Sequence, residues 1–379
     1  MKKKYITKSL RAFPFSDDNP TPEEKLFKCT LNEWYNAKHR TISDEEVKFI
    51  NSVNINKCPY CCSTSFIKNG HRKDGIQKYK CISCNRSFTP ITNTIFDSHK
   101  IPISEWFEYL LHLFEFHSIK SSSYDNRNAN STGTYWLIKV FEVLKGIQDD
   151  VVLDGRVYLD ETYFSKIKSD NITINGKKLR GISKNKIGVA VATNLTSSIF
   201  IVTGTSKPSE KSTLSAYGKH IKKGSTIVHD KEKSHNILVD NLDLISETYS
   251  SEDLKNIEDK DNPLAPVNNL HSLAKSFMRQ HGSYNRDNLQ DWMNLLWLIL
   301  NEPYDKYAKV LRFIELAINS PTRVKYRDAM KAKVPKKGKL YPSCANKDFE
   351  LKIEQNIIVD SSLFVNGSAV SLWFYPICY

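Results

Sequence analysis

The middle of the chain consists of short apolar runs of the kind that form β-strands. The run 157–164 is aliphatic, aromatic and β-branched, and only Asp160 and Glu161 interrupt it. Two further strands are predicted at Lys186–Thr193 and 198–204, and the short turn between them favours an antiparallel arrangement. A carboxylate in an apolar strand is costly to bury unless it is paired or binds a metal, so Asp160 marks either a strand edge or a site. Successive strand residues face opposite ways, so Glu161 is expected to face outward, away from Asp160.

A second group of elements follows these strands. The pattern predicts a helix over 209–221 and a strand at 225–228, which runs on to Asp230. A helix over 234–242 completes the group. The order β-β-β-α-β-α is that of a ribonuclease-H-like α/β fold with a mixed sheet, in which the first strand lies beside the fourth. We therefore expect Asp160, in the first strand, to be a neighbour of Asp230.

Helical spacing of apolar residues dominates on both sides of the strands. Before them, helices are predicted over 103–116 and 134–145, around the polar stretch 118–132. This pattern fits a helix-turn-helix that contacts DNA, and it fits a plain helical hairpin equally well. After the strands, helices are predicted over 267–281 and 284–300, and the second is apolar enough to pack beneath the sheet.

Five of the eight cysteines lie close together, in two Cys-x-x-Cys pairs and one spare. The pairs are Cys58 with Cys61, and Cys81 with Cys84, and Cys62 is the spare. Two such pairs joined by a predicted hairpin are typical of a zinc ribbon, in which four thiolates hold one Zn²⁺ tetrahedrally. The metal replaces a hydrophobic core that so short a segment could not build.

The remaining stretches carry weaker signals. Helix starts are predicted at Thr21 and Ser43, and 246–264 has the acidic, polar composition of a surface loop. The strand-like tail suggests no function. We divide the chain into an N-terminal helical segment (1–54), a zinc ribbon (55–92), a helical, possible DNA-binding segment (100–150), a ribonuclease-H-like domain (155–302), a basic helical segment (303–343) and an atypical tail (344–379).

The charge balance indicates a polyanionic partner. Lys and Arg number 55 against 42 Asp and Glu, which gives a net charge of +13. Nucleic acid is the partner that such a balance favours. Solubility alone would also explain a net charge, but it would not require the basic clusters at Lys2–Lys4, 177–180 and 323–339. No apolar run approaches the roughly 18–20 residues that span a bilayer, and the N-terminus lacks a secretory apolar region. We expect no membrane association and a cytoplasmic, nucleoid-associated protein.

Two neighbouring carboxylates imply metal chemistry. Asp160 and Asp230 would repel each other unless a divalent cation lay between them. Two Mg²⁺ ions about 3.5–4 Å apart suit in-line phosphoryl transfer. A third ligand is expected from the later helix, where Asn268, His271 and Lys275 share one face. Mg²⁺ prefers oxygen ligands, whereas a His nitrogen suits Mn²⁺ better.

The chain resembles the insertion-sequence transposases of the DDE superfamily, in the bacterial group with a zinc ribbon and an Asp, Asp, Asn/Glu/His, Lys signature. The motifs that carry the resemblance are the two Cys-x-x-Cys pairs, LDETYF at 159–164, KIGVAVAT at 186–193, VHDKEKSH at 228–235 and VNNLHSLAK at 267–275. It covers roughly residues 55 to 300.

The resemblance implies roles for named residues. Asp160 and Asp230 would bind catalytic Mg²⁺ or Mn²⁺, with Asn268 or His271 as the third ligand. Lys275 would position a phosphate or the terminal base of the element. The protein would cleave the element ends and join the 3′-hydroxyl to target DNA. Its partner would be double-stranded DNA, bound by a homodimer or a higher assembly.

Two other functions stay open at this stage. The third ligand position is not acidic, which is compatible with a catalytically degenerate, zinc-ribbon DNA-binding protein. The same carboxylates would also suit a metal-dependent nuclease without strand transfer. Assays for DNA binding, nicking and joining would separate the three.

Overall fold

A computed structural model describes most of the chain between residues 42 and 331. The described ranges are 42–97, 101–166, 171–174, 177–179, 181–255, 257–258, 261–281, 286–320 and 322–331. The predicted helix start at Thr21, the cluster Lys2–Lys4 and the tail 344–379 lie outside them. Within the described part, no helix has both the length and the apolarity needed to cross a bilayer.

From residue 42, where the described part starts, the chain forms a helix and then the small ribbon sheet. The predicted start at Ser43 is confirmed, because its side chain caps the first helix by accepting a hydrogen bond from the Glu46 amide. The ribbon has a third, very short strand that the sequence did not indicate. These elements are α1 (Asp44–Ser52), β1 (Phe66–His71), β2 (Gln77–Cys81) and β3 (Ser87–Phe88).

The helical segment contains three helices, α2 (Ile103–Phe114), α3 (Ile119–Asp125) and α4 (Asn130–Leu144). The prediction of a polar turn over 118–132 was wrong, because α3 occupies its first half. Ser118 starts this helix by accepting a hydrogen bond from the Ser121 amide. The hydroxyls of Ser122 and Ser123 on α3 donate hydrogen bonds to backbone carbonyls of the preceding turn. Because the helix is rich in such polar residues, its sequence does not show the apolar spacing by which helices were predicted.

The C-terminal half builds the main sheet and the helices that cover it. The three strands predicted at 157–164, 186–193 and 198–204 lie where they were predicted, and a helix lies within the predicted range 209–221. In chain order the elements are β4 (Arg156–Ser165), β5 (Thr173–Ile174), β6 (Lys177–Lys178), β7 (Lys186–Thr193), β8 (Ser198–Thr205), α5 (Glu210–Tyr217), β9 (Thr226–Asp230), α6 (Asn236–Leu242), β10 (Ile245–Tyr249), α7 (Ser251–Leu254), α8 (Ala265–Gln280), α9 (Leu289–Leu300), α10 (Lys306–Asn319) and α11 (Tyr326–Lys331).

The main sheet has five strands in the order β10-β9-β4-β7-β8. β4 pairs antiparallel with β7, and β7 with β8, whereas β9 and β10 run parallel to β4. This is the mixed α/β, ribonuclease-H-like order that the sequence predicted. The expectation of a surface loop over 246–264 was wrong, because β10 begins the segment. β10 is an edge strand with polar, largely exposed side chains, so its composition resembles that of a loop.

Helices cover both faces of the sheet. On one face, Val191, Phe200 and Val228 pack with α8, α9 and the helices of the N-terminal half in a single hydrophobic core. On the other face, Val157 and Leu159 of β4 pack with α5 and α6. Successive side chains of a strand point to opposite faces. The even-numbered side chains of β4 therefore face α8, and the odd-numbered side chains face α5. The domain boundaries proposed from the sequence stay a prediction.

Candidate functional site

The sheet brings Asp160 and Asp230 level with each other. The parallel register of β4 and β9 pairs Tyr158 with Val228. Two residues further on, both strands reach their carboxylates, and both carboxylates lie on the face that α8 covers. Asp230 is the last residue of β9, so it lies at the end of the sheet.

Burial and like charge act together on Asp160. The pKa of Asp160 is raised from 3.8 to about 7. The main cause is burial, and the second is the negative charge of Asp230. The Glu161 amide opposes this shift by donating a hydrogen bond of 2.8 Å to Asp160 Oδ1. Asp230 accepts a hydrogen bond of 3.1 Å from the Glu232 amide. The two carboxylates are therefore held in place by backbone amides while they repel each other.

Helix α8 adds His271 to this pair. Its Nδ1 lies 3.8 Å from Asp160 Oδ2, and its Nε2 is shielded from solvent and makes no hydrogen bond within the described residues. Burial is the main cause that lowers the pKa of His271 to about 4, and the charge of Lys275 contributes. His271 is therefore a neutral imidazole, the form that binds metal ions. We refer to Asp160, Asp230 and His271 as the front cluster.

The other two predicted residues of α8 are solvent-exposed. Asn268 lies one turn before His271, and Lys275 one turn after it. All three share the helix face that the i, i+3, i+7 spacing predicted, but only His271 is buried against the sheet. The role of His271 or Asn268 as the third metal ligand stays a prediction.

The opposite face of β4 carries a second polar cluster that the sequence argument missed. Glu161 was expected to face away from Asp160 and outward. It does face away, but its side chain is buried, and its Oε1 lies 3.3 Å from the Tyr217 hydroxyl and 3.2 Å from His235 Nε2. The expectation of an outward position failed because α5 and the segment before α6 cover this face. We refer to Glu161, Tyr217, His229 and His235 as the back cluster.

His235 connects the two clusters. Its Nδ1 lies 3.0 Å from His229 Nδ1 and 3.5 Å from Asp230 Oδ1. Burial alone would lower the pKa of His235, but the hydrogen bond and charge of Glu161 outweigh burial and raise it. For His229, burial and the neighbouring His235 lower the pKa to about 4. One donor atom each from His229, Asp230 and His235 lies within 4.8 Å of the others. The signal available in the sequence was VHDKEKSH, which has a histidine on either side of Asp230.

The ribbon brings four cysteines together. One sulfur each from Cys58, Cys61, Cys81 and Cys84 lies within 4.8 Å of the others, and the spare Cys62 is outside this group. The Sγ atoms of Cys58 and Cys84 are 3.8 Å apart, and those of Cys61 and Cys81 are 3.5 Å apart. A tetrahedral zinc ion with Zn–S bonds of about 2.3 Å separates its sulfurs by roughly 3.8 Å. The cluster therefore has the dimensions of a four-thiolate metal site.

The surroundings of these sulfurs also fit a metal ion. A hydrogen bond from the Cys84 amide is the main cause that lowers the pKa of the Cys81 thiol to about 6, which favours the thiolate. Cys58 and Cys81 are buried, and they pack with the aromatic rings of Phe66, Tyr79 and Phe88. This small aromatic group, Ile55 and the cysteines pack together as the core of the ribbon.

Comparisons with known proteins find similarity among solved structures. No protein-family model matches the chain, and no curated protein matches it. Three chains of solved structures are similar to it. One belongs to the crystal structure of a pre-cleavage Mos1 transpososome, with 8% identity, a TM-score of 0.23, and coverage of 60% of this chain and 77% of that chain. At that TM-score the likeness establishes no shared activity, so the fold assignment rests on the strand order of this chain.

Proposed function

We propose that the chain is a DDE-type DNA transposase that cleaves element ends and joins the 3′-hydroxyl to target DNA. The observation that carries this proposal is the front cluster. Near the end of a ribonuclease-H-like sheet, the carboxylate of Asp160 lies 3.8 Å from the neutral imidazole of His271 and is repelled by the charge of Asp230. Such an arrangement is costly unless a cation completes it.

The donor set fits divalent metal ions. Asp160 and Asp230 supply hard, charged oxygens, and His271 supplies a nitrogen that Mn²⁺ accepts more readily than Mg²⁺. When bound, such ions stabilise the charge on the attacking and leaving oxygens of an in-line phosphoryl transfer. The chain's own residues fix the geometry, because the Glu161 and Glu232 amides orient the carboxylates.

The exposed residues of α8 suit contact with DNA. Lys275 lies one turn beyond His271 and close enough to lower its pKa, so its ammonium can meet a phosphate beside the carboxylates. Asn268 has the exposure to hold a sugar or base edge. In this proposal His271 is the third metal ligand, and Asn268 and Lys275 position the DNA.

The ribbon supplies a basic surface for the DNA backbone. Its exposed basic residues lie on the first strand and the turns of the ribbon, namely Lys68, His71, Arg72, Lys73 and Arg86. Neutralising phosphates with such residues gives affinity that falls as salt rises. The helical segment would add contacts, and cutting two ends together would require a homodimer or a higher assembly.

A DNA cleavage assay tests the proposal. The full chain is incubated with Mg²⁺ or Mn²⁺ and labelled DNA from both ends of the element that encodes it. Nicked ends and joined products are expected from wild type, and neither from Asp160→Asn. Asp291→Asn is the matched control. Burial also raises the pKa of the Asp291 carboxyl, to about 6, but Asp291 lies outside the front cluster. Binding without nicking by wild type would leave a DNA-binding protein, and nicking without joining a nuclease.

The third ligand is tested by a pair of variants on α8. His271→Ala should reduce cleavage by roughly a hundredfold or more at saturating metal, as expected for a lost electrostatic contact in the transition state. Asn268→Ala should instead weaken DNA binding with a small effect on the rate of bound complexes. The reverse result would assign the third ligand to Asn268.

Zinc in the ribbon is tested separately. We expect elemental analysis to find about one zinc ion fewer in each Cys81→Ser chain than in each wild-type chain. Cys62→Ser is the matched control, since Cys62 lies outside the four-sulfur group. A zinc content of Cys81→Ser equal to that of wild type, or an equal loss in both variants, would contradict the assignment of Cys58, Cys61, Cys81 and Cys84.

A further inference from the structure

The helical segment holds a third group of metal-ligating side chains, on elements that contribute to neither site above. His112 lies in the last turn of α2, His117 in the connection that follows, and Asp125 at the end of α3. One donor atom from each residue lies within 4.8 Å of the others. The proposed function gives this group no role.

The backbone of the connection is shaped to bring the two histidines together. Phe116 adopts a left-handed conformation with φ of 63°, which a bulky residue rarely occupies. The His117 amide then donates a hydrogen bond of 3.0 Å to the His112 carbonyl. As a result the two imidazole rings lie with their centroids 5.0 Å apart and their planes tilted by 49°.

The facing atoms of His112 and Asp125 have the spacing of two ligands on one ion. His112 Nδ1 lies 3.3 Å from Asp125 Oδ2. The nitrogen is shielded from solvent, and no hydrogen bond within the described part of the chain satisfies it. In a tetrahedral zinc site with bonds of about 2.0–2.1 Å, adjacent ligand atoms lie roughly 3.3–3.4 Å apart. Ser121 Oγ, 3.4 Å from the same carboxylate oxygen, is placed to orient it.

We propose that His112, His117 and Asp125 bind one first-row transition ion of the Zn²⁺ class, which ties the end of α2 to α3. Two imidazoles and one carboxylate make a donor set that zinc takes with water as the fourth ligand, and that Mg²⁺ and Ca²⁺ disfavour. The site stands apart from the proposed transposase chemistry. The competing account is a simple ion pair between His112 and Asp125, with His117 near it by chance.

Chemical modification of single histidines tests this site despite the other metal-binding groups in the chain. The full chain, with its ribbon loaded, is treated with diethyl pyrocarbonate with and without micromolar free Zn²⁺, and each histidine is followed by mass spectrometry. Zn²⁺ should slow the modification of exposed His117 by roughly tenfold or more, since a coordinated nitrogen cannot react. His71, an exposed histidine on β1, is the matched control and should react at one rate throughout. Millimolar Mg²⁺ should protect neither.

Variants that leave His117 in place decide between a metal site and an ion pair. Asp125→Ala and His112→Ala should each abolish the Zn²⁺ protection of His117, and unfolding midpoints measured without added zinc identify any variant that fails to fold. Modification of His117 at one rate with and without Zn²⁺ would overturn the proposal. Protection that survives in both folded variants would also overturn it.

Discussion

The front and back clusters lie on opposite faces of β4 and differ in how their polar groups are satisfied. In the back cluster, Glu161 faces the Tyr217 hydroxyl and His235, and His229 Nε2 lies 2.9 Å from the Ser246 hydroxyl. In the front cluster, Asp160 faces the like charge of Asp230, and one nitrogen of His271 has no hydrogen bond within the described residues. Neighbouring residues of one strand thus experience opposite environments.

This difference separates a structural role from a chemical one. Buried polar groups in folded proteins are nearly always paired, and a paired network rigidifies the fold. A group held near a like charge costs stability until a ligand compensates it. We therefore expect changes in the back cluster to reduce stability, and changes in the front cluster to reduce activity while leaving the fold intact.

The largest expected effect is on the DNA cleavage that we propose for the front cluster. Asp160→Asn should lower the rate of DNA cleavage by roughly a thousandfold or more, because an uncharged amide oxygen binds divalent ions far more weakly than a carboxylate does. Its urea unfolding midpoint should equal or exceed that of wild type, since the variant removes a repelling charge. Single-turnover cleavage and urea unfolding measure the two quantities. A large loss of stability in Asp160→Asn would break the comparison.

The largest expected effect on stability lies in the back cluster. Glu161→Ala leaves His235 without its carboxylate in a buried site, which should cost roughly 3–5 kcal/mol of unfolding free energy. Glu247→Ala is the control, because Glu247 pairs with Arg156 at the surface, where an ion pair contributes at most about 1 kcal/mol. Urea unfolding would contradict the assignment if the two variants lost equal stability.

The pH dependence of stability should reveal Asp160. Its pKa is raised in the folded state from 3.8 to about 7, so the folded protein binds the proton more tightly than the unfolded chain. Without divalent ions, wild type should therefore lose a few kcal/mol of stability, relative to Asp160→Asn, as the pH rises from about 4 to 7. Adding Mn²⁺ at pH 8 should restore it. Parallel curves for the two proteins would show that Asp160 is not destabilised.

The smallest expected effect concerns the hydroxyl of Tyr217. This buried group lies within hydrogen-bonding distance of Glu161 Oε1 and of the carbonyls of Asp160 and Val191. Tyr217→Phe should cost about 1–2 kcal/mol, because acceptors in a buried site lose their donor. Tyr307→Phe, at a tyrosine that is 60% exposed, should change stability little. Equal effects in urea unfolding would remove the hydroxyl from the back cluster.

Sequence reasoning succeeded where a pattern has one local cause. The apolar run of β4 and the Ser43 cap were visible because strand composition and capping depend on neighbours in the chain. It failed where a segment is polar for reasons of its surroundings. Helix α3 is rich in Ser, and edge strand β10 is mostly exposed, so neither shows an apolar period. The burial of Glu161 could not be predicted, because α5 and His235 cover it from distant positions.

The sequence by itself determined the order of the longer apolar strands and helices and the two Cys-x-x-Cys pairs, since these follow from local composition and spacing. It also placed Asp160 and Asp230 on strands expected to be adjacent. Only the tertiary structure decided which of their neighbours are satisfied. His271 reaches Asp160 because α8 packs on the sheet, and His235 reaches both Glu161 and Asp230 because the chain turns back after β9. Burial and electrostatic environment are set by contacts between distant segments, and these separate Asp160 from Glu161.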